Sequence, residues 1–348
     1  MMPSLPSPLR RMLGGCLTVA AVFASALTLA TTPAIAAEKL QKLTLSGPFA
    51  AVSYPLIHMA ESGALKDLAE TVEFVPWKDP DQLRVLAIDG KNKVDFIAMP
   101  SNVAANLYNR GVRLQLVNIS TWGVLWLVSR DKSLKTLEDF QGKEVLMPFR
   151  ADMPDIVFQT LADKAGLDSK KNFRLRYVGT PLDAMQLLIS RQADHALLSE
   201  PAVSMALRKT KSFPVSIVAP DLYRSVDLQQ EWGRLQKREA RIPQAGIAAM
   251  GQAFANPALV ERFQQAYATS LKWCEAKPDD CGAMVAKRVE MLTAEGVADS
   301  VRADNTAFVT AADAKPELEY FFAQLHARQP ALIGGKLPDA GFYYTPVK

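Results

Sequence analysis

Short apolar runs bounded by turn residues alternate with stretches of helical spacing along this chain, and the alternation occurs twice in one order. In the first copy Leu43-Thr44-Leu45-Ser46 reads as a strand that Gly47-Pro48-Phe49 ends, and Tyr54-Pro55 opens a helix through Met59 to about Leu65. Val72 to Val75 is a second strand, followed by Trp77-Lys78-Asp79-Pro80. Asp81 to Ile88 places Leu83, Leu86 and Ala87 on one helical face, Asp89-Gly90-Lys91-Asn92 is a turn, and Val94 to Met99 is a third strand. In the second copy Glu144 to Met147 is a strand broken by Pro148-Phe149-Arg150. Asp152-Met153-Pro154-Asp155 caps a helix from Ile156 to about Ala165, and Gly166 stops it. Arg174 to Val178 is a strand, Thr180-Pro181 opens the helix Leu182 to Ser190, and Asp194 leads a third apolar strand.

Both third strands end alike. Asp95 runs through Phe96-Ile97-Ala98-Met99 into Pro100-Ser101-Asn102, and Asp194 runs through an apolar segment into Ser199-Glu200-Pro201 and a helix. Proline suits a first helical turn, where its missing N–H costs nothing. Each copy is therefore βαβαβ, which implies an α/β fold with parallel sheets covered by helices. The extended segment Leu116 to Val128 reads as a crossover between two facing lobes, and Ile242 to Met250 as the strand that returns. Residues 38–126 and 250–348 are expected in the first lobe and 127–249 in the second. Pro257 to Trp273 is a helix with Leu259, Phe263 and Tyr267 on its apolar stripe. The remaining C-terminal part is mostly helical, closing with the loop Gly334 to Asp339 before Phe342-Tyr343-Tyr344.

Residues 1–36 read as a secretory signal. Arg10 and Arg11 supply its positive start, Met12 to Ala30 an uncharged apolar core, and Ala34-Ile35-Ala36 small residues for cleavage. A retained membrane anchor and lipidation at Cys16, after Leu13-Gly14-Gly15, are the alternatives. Cleavage removes two positive charges, taking the net charge from +4 to +2. No run of basic residues interleaved with aromatics points to nucleic acid. In an oxidising compartment Cys274 and Cys281, which flank Glu275 to Asp280, read as a local disulfide clamping a helical hairpin. Two unpaired thiols are the plainer alternative, and metal binding is disfavoured by the lack of a nearby histidine.

Ligands in parallel α/β sheets sit beyond the carboxyl ends of the strands, where helix N-termini offer unsatisfied N–H groups. The candidate cleft residues are Phe49, Ser53, Tyr54, Ser101 and Asn102 from the first lobe, and Thr121 and Trp122 from the crossover. Arg150, Asp152, Thr180 and Glu200 come from the second lobe. Each has a plainer role open to it. Ser53, Ser101 and Thr180 suit helix caps, Trp122 the core, Arg150 a pair with Asp152, and Glu200 a helix N-terminus. His58, His195 and His326 lie in separate elements, and no nucleophile elbow, phosphate loop or metal-ligand spacing is present. The chain is expected to bind rather than catalyse, with no cofactor and no metal.

The run Gly142-Lys143-Glu144-Val145 with Pro148-Phe149, then Thr180-Pro181 and Ser199-Glu200-Pro201-Ala202, resembles the extracytoplasmic solute-binding proteins of ABC importers. It is similar more narrowly to the nitrate/sulfonate/taurine branch, which includes thiamine-pyrimidine-precursor binders of the NMT1/THI5-like type. The resemblance spans about Leu43 to Tyr344. It implies a type II periplasmic-binding fold of two α/β lobes on two hinge segments, closing on a small solute and delivering it to the transmembrane subunits of a permease. A monomer acting in the periplasm is expected, with the leader cleaved near Ala36. Arg150 favours an anionic solute, whereas Glu200 and Trp122 favour a neutral or aminated ring. The family also holds a pyrimidine-biosynthesis enzyme with a Cys-rich signature, which this chain lacks. An enzyme of that type and a sensor that docks a membrane receptor are the alternative readings.

Overall fold

In the computed structural model of the protein, residues 39–88, 94–219, 221–303 and 306–346 are described. The leader read over 1–36 and the turn at Asp89 to Asn92 lie outside them. Chain order begins β1 (Leu40–Gly47), α1 (Tyr54–Ser62), β2 (Ala69–Pro76), α2 (Pro80–Ile88), β3 (Phe96–Pro100), α3 (Ser101–Asn109) and β4 (Gln115–Trp122). It continues with β5 (Leu125–Ser129), β6 (Glu144–Pro148), α4 (Met153–Lys164), β7 (Arg174–Val178), α5 (Pro181–Ile189), β8 (His195–Ser199) and α6 (Ala202–Lys211). Then come α7 (Val215–Val218), β9 (Tyr223–Asp227), α8 (Leu228–Gln236) and β10 (Pro243–Ala249). The C-terminal part is α9 (Pro257–Ala276), α10 (Pro278–Arg288), α11 (Ala294–Ala303), β11 (Thr306–Thr310) and α12 (Ala311–Arg328).

Two sheets result. The first has the order β11-β4-β10-β3-β1-β2 and the second β7-β6-β8-β5-β9. In each, three parallel strands from one βαβαβ unit stand in the order second, first, third. An antiparallel strand delivered by a crossover then joins the third: β10 beside β3, and β5 beside β8. This shared order gives the doubled sequence pattern a common architecture. The segment read as one extended crossover is two strands in different sheets, β4 and β5, because Gly123 at φ +62 turns the chain between them. The boundary placed after 249 is corrected as well. β10 pairs on both sides within the first sheet, so the chain has returned there by Pro243. Strands β9 and β11 were not read from the sequence; each lies at an edge.

Glycine and proline set the local limits. The helix expected to reach Leu65 stops at Ser62, where Gly63 adopts a left-handed φ of +71. Prolines occupy the first turns of α1, α4, α5 and α9. Cys274 and Cys281 form a disulfide between α9 and α10, with their Cα atoms 5.1 Å apart. No helix among the described residues is long and apolar enough to cross a membrane.

Two cross-ties link the chain's passages between sheets. Gln244 Oε1 accepts from the Val124 N–H (3.2 Å), and Gln229 Oε1 accepts from the Ile242 N–H (3.1 Å). Around them α8 packs on α12, with Trp232 edge-on to Phe321 at 5.6 Å, and the Tyr320 hydroxyl reaches Gln236 (2.9 Å). Ion pairs Arg208–Asp299 (2.7 Å) and Arg328–Asp163 (2.6 Å) join α6 to α11 and α12 to α4.

Candidate functional site

The carboxyl ends of β1, β2 and β3 face those of β6, β7 and β8 across a cavity of ≈ 320 Å³. Its walls are largely apolar: Phe49, Trp77, Leu83 and Met99 from one sheet, and Phe149, Met153 and Leu182 from the other. Thr121, Val124, Gln244 and Ala245 supply the floor where the chain passes between sheets, and Met291 reaches in from the loop after α10. The 3-10 turn Ala51–Ser53 that precedes α1 is held from behind. Fully buried Tyr267 donates its hydroxyl to Val52 O (2.9 Å) and meets Ser120 Oγ at 2.7 Å.

Of the residues read from sequence, Phe49, Thr121, Asp152, Thr180 and Glu200 line this cavity. Thr180 does so while capping α5, where it accepts from the Asp183 N–H (3.1 Å) and donates its hydroxyl to the Asp183 carboxylate (2.8 Å). Glu200 is buried and already engaged. One carboxylate oxygen meets Arg224 Nη2 at 2.5 Å, and the other accepts from the Ser204 N–H at 3.1 Å. Arg224 was not anticipated, and it removes Glu200 as a free acceptor for an amine or ring N–H. Thr121 is buried, and its hydroxyl has no hydrogen-bond partner among the described residues. It is thus a buried wall residue with an unspent polar group.

The other six lie off the walls. Ser53 packs its hydroxyl against Gly47, where a Cβ would stand 2.2 Å away. Tyr54 points its hydroxyl toward Ser300 (3.4 Å). Ser101 donates to Pro243 O (2.5 Å), tying α3 to β10, and Asn102 is buried beside it. Trp122 donates its indole N–H to Ala307 O (2.9 Å) in β11 and carries the Arg241 guanidinium 3.9 Å from its ring centroid. Arg150 lies over the Tyr177 ring at 5.0 Å. Its direction follows from the backbone, since Phe149 and Ala151 on either side have φ of +54 and +61. That left-handed turn is held by Asp155, which accepts from the Ala151 N–H (2.8 Å). Non-glycine residues adopt it uncommonly.

The cation at the cavity is instead Lys78, exposed at the end of β2 and free of ion pairs among the described residues. Its position is visible in Trp77-Lys78-Asp79-Pro80, the counterpart of Thr180-Pro181, but nothing in that run distinguishes it from an ordinary solvated lysine. Trp77 anchors this junction by donating its indole N–H to Ala98 O (3.1 Å). No group of three or more His, Cys, Asp or Glu among the described residues is placed to hold a metal.

Asp152 joins the two sides. As N-cap of α4 it accepts from the Met153 N–H (2.8 Å), and its other oxygen meets Arg84 Nη2 of α2 at 3.0 Å. Burial outweighs both contacts and pushes its carboxyl above the ordinary range. The native state then holds this proton to a higher pH than the unfolded chain does. Protonation therefore favours folding, and the gain is complete near pH 4, where the unfolded aspartate protonates too. Wild type should gain stability relative to Asp152→Asn as pH falls from neutral to about 4. Paired melting curves across that range test the sign, and a difference that shrinks with acidification would refute it.

No protein-family model matches the chain, and no curated protein matches it. Solved structures do match. An ABC transporter structure from Parabacteroides distasonis superposes with a TM-score of 0.70 at 22% identity, covering 88% of this chain and 99% of that one. The periplasmic aliphatic sulphonate binding protein SsuA from Escherichia coli gives 0.66 at 14%, covering 88% and 93%. The periplasmic nitrate-binding protein NrtA from Synechocystis PCC 6803 gives 0.64 at 13%, covering 84% and 82%. These neighbours share the type II periplasmic-binding fold, and the chain has it too.

Proposed function

We propose that the protein is the extracytoplasmic solute-binding component of an ABC importer. In this reading it captures a small organic solute with an apolar body and one anionic group, then delivers it to a permease. The leader at 1–36 would be removed near Ala36 and the mature chain would act in the periplasm as a monomer. Closure would be a hinge motion about the two glutamine-tied passages.

One observation carries the solute class: the cavity is walled by apolar side chains, while its acids are committed elsewhere. Asp152 is paired with Arg84, Asp183 with Thr180, and Glu200 with Arg224. Carboxylates already held by a cation or a cap make poor acceptors for an amine. What remains is Lys78, the Thr121 hydroxyl, and the start of α6, where Ala202 lines the cavity behind an N-cap proline that offers no side-chain cap. These favour an oxyanion. A cavity of ≈ 320 Å³ is within the range of sites that enclose whole organic molecules, so nitrate would leave much of it empty. An alkyl or aryl sulfonate or carboxylate fills it and uses the walls.

Thermal-shift and calorimetric titration against alkyl and aryl sulfonates, aromatic carboxylates, nitrate and pyrimidines is the test. Apolar-tailed anions should stabilise the protein and nitrate should not. Lys78→Gln should weaken the bound anion about tenfold, the loss of one exposed charge-assisted contact. Its melting temperature without solute should stay unchanged. Turnover of any of these compounds, or nitrate as the preferred ligand, would overturn the reading.

A further inference from the structure

At the end of α6 remote from the cavity the surface changes character. Phe213, Ile217 and Val218 are 80%, 70% and 62% exposed, on and just before the single turn of α7. Large apolar side chains exposed together on so short a stretch mark a contact surface. Their setting is basic: residues 207–219 include Arg208, Lys209 and Lys211 and no acid. Arg191 adds a further cation, donating to Val218 O at 3.2 Å.

Beside this knob an open groove of ≈ 580 Å³ runs between α6 and α11. Arg208, Lys211, Arg224 and Arg302 line it, against Asp299 as the acid on its wall. Asp299 is shared by Arg208 (2.7 Å) and Arg302 (3.4 Å), Arg302 also meets Asp279 (2.6 Å), and Arg224 meets Glu200 (2.5 Å). The unbalanced charge is that of Lys211, which has no ion pair among the described residues. The groove therefore keeps a positive excess where the apolar knob begins.

We infer that this face rests on an anionic phospholipid surface, the knob dipping into the headgroup layer while Lys209, Lys211 and the groove hold lipid phosphates. A protruding apolar tip ringed by lysine and arginine is the footprint of shallow interfacial insertion, about 5–10 Å deep. A protein partner is less well served, because a stable interface needs on the order of 1,000 Å² of complementary surface and this tip is one helical turn. With ten residues in α6, the contact lies roughly 15 Å from the cavity at 1.5 Å per residue, so it leaves the solute mouth open. The inference stands apart from the solute reading, since lipid binding and solute binding are measured separately.

The test is co-sedimentation of the exported, processed chain with vesicles of phosphatidylcholine alone and of phosphatidylcholine mixed with phosphatidylglycerol. The protein should pellet with the anionic vesicles, lose that binding as salt is added, and remain in solution with the neutral ones. Lys209→Gln and Lys211→Gln should each weaken partitioning about fivefold. Phe213→Ser with Ile217→Ser should weaken it further without lowering the melting temperature. Equal partitioning to both vesicle types, or variants indistinguishable from wild type, would overturn the inference. So would a lipid-free dimer, seen by sedimentation velocity, that Phe213→Ser abolishes, because the knob would then cover a second copy.

Discussion

Valine at Gly246 is expected to destabilise the protein by about 3 kcal/mol or more, enough to shift its urea midpoint far below that of wild type. Gly246 sits in β10 between Met99 of β3 and Ile119 of β4. A Cβ there would stand 1.9 Å from the Asn118 carbonyl oxygen, an atom of a neighbouring strand's backbone. Side chains give way by rotating, but a strand paired on both faces of the contact moves only by breaking its ladder. Gly142→Ala separates this effect from simple loss of backbone freedom. Gly142 has φ +72 and open space where its Cβ would go, so its replacement should cost about 1 kcal/mol. Urea titration of both variants checks the ranking, and equal midpoints would show that the contact at Asn118 is relieved cheaply.

The second large effect belongs to the pair under the cavity. Arg224→Met should cost about 3–5 kcal/mol, because it leaves the Glu200 carboxylate buried with only the Ser204 N–H beside it. Glu200→Gln should cost less. The Arg224 side chain is 29% exposed and its charge is partly hydrated already. Removing both charges together should cost less than the sum of the single losses, since neither partner is then stranded. A double-mutant cycle by chemical denaturation measures that coupling, and strict additivity would show that the two charges do not depend on each other.

What the sequence revealed and what it hid follow one division. The two βαβαβ units were legible because their signals are local: apolar runs, proline in the first turn, glycine or aspartate at the ends. Strands β9 and β11 were not. Tyr223–Asp227 and Thr306–Thr310 are short, partly exposed edges whose only justification is the neighbour they pair with. Two residue assignments depended on them. Arg224, the partner of Glu200, lies on β9, and Ala307, which accepts from Trp122, lies on β11. Without those strands Glu200 looked free and Trp122 looked available to a ligand. Arg150 was displaced for another reason, the left-handed turn on either side of it, and Lys78 took its place at the cavity. The facing of the two junction sets was readable from the doubled pattern, but strand order in the sheets and side-chain direction at the junctions were not.

The insertion of β10 between β3 and β4 has a consequence in time. Ser101 and Pro243, which share a hydrogen bond across that seam, are 142 residues apart. A growing chain that has emerged only through β4 holds its first sheet in two pieces, with open edges on both sides of the gap. Closing the gap needs the whole of the second sheet's sequence first, and contacts of such long range form slowly. The N-terminal portion thus stays unfinished during synthesis until its last partner strand arrives.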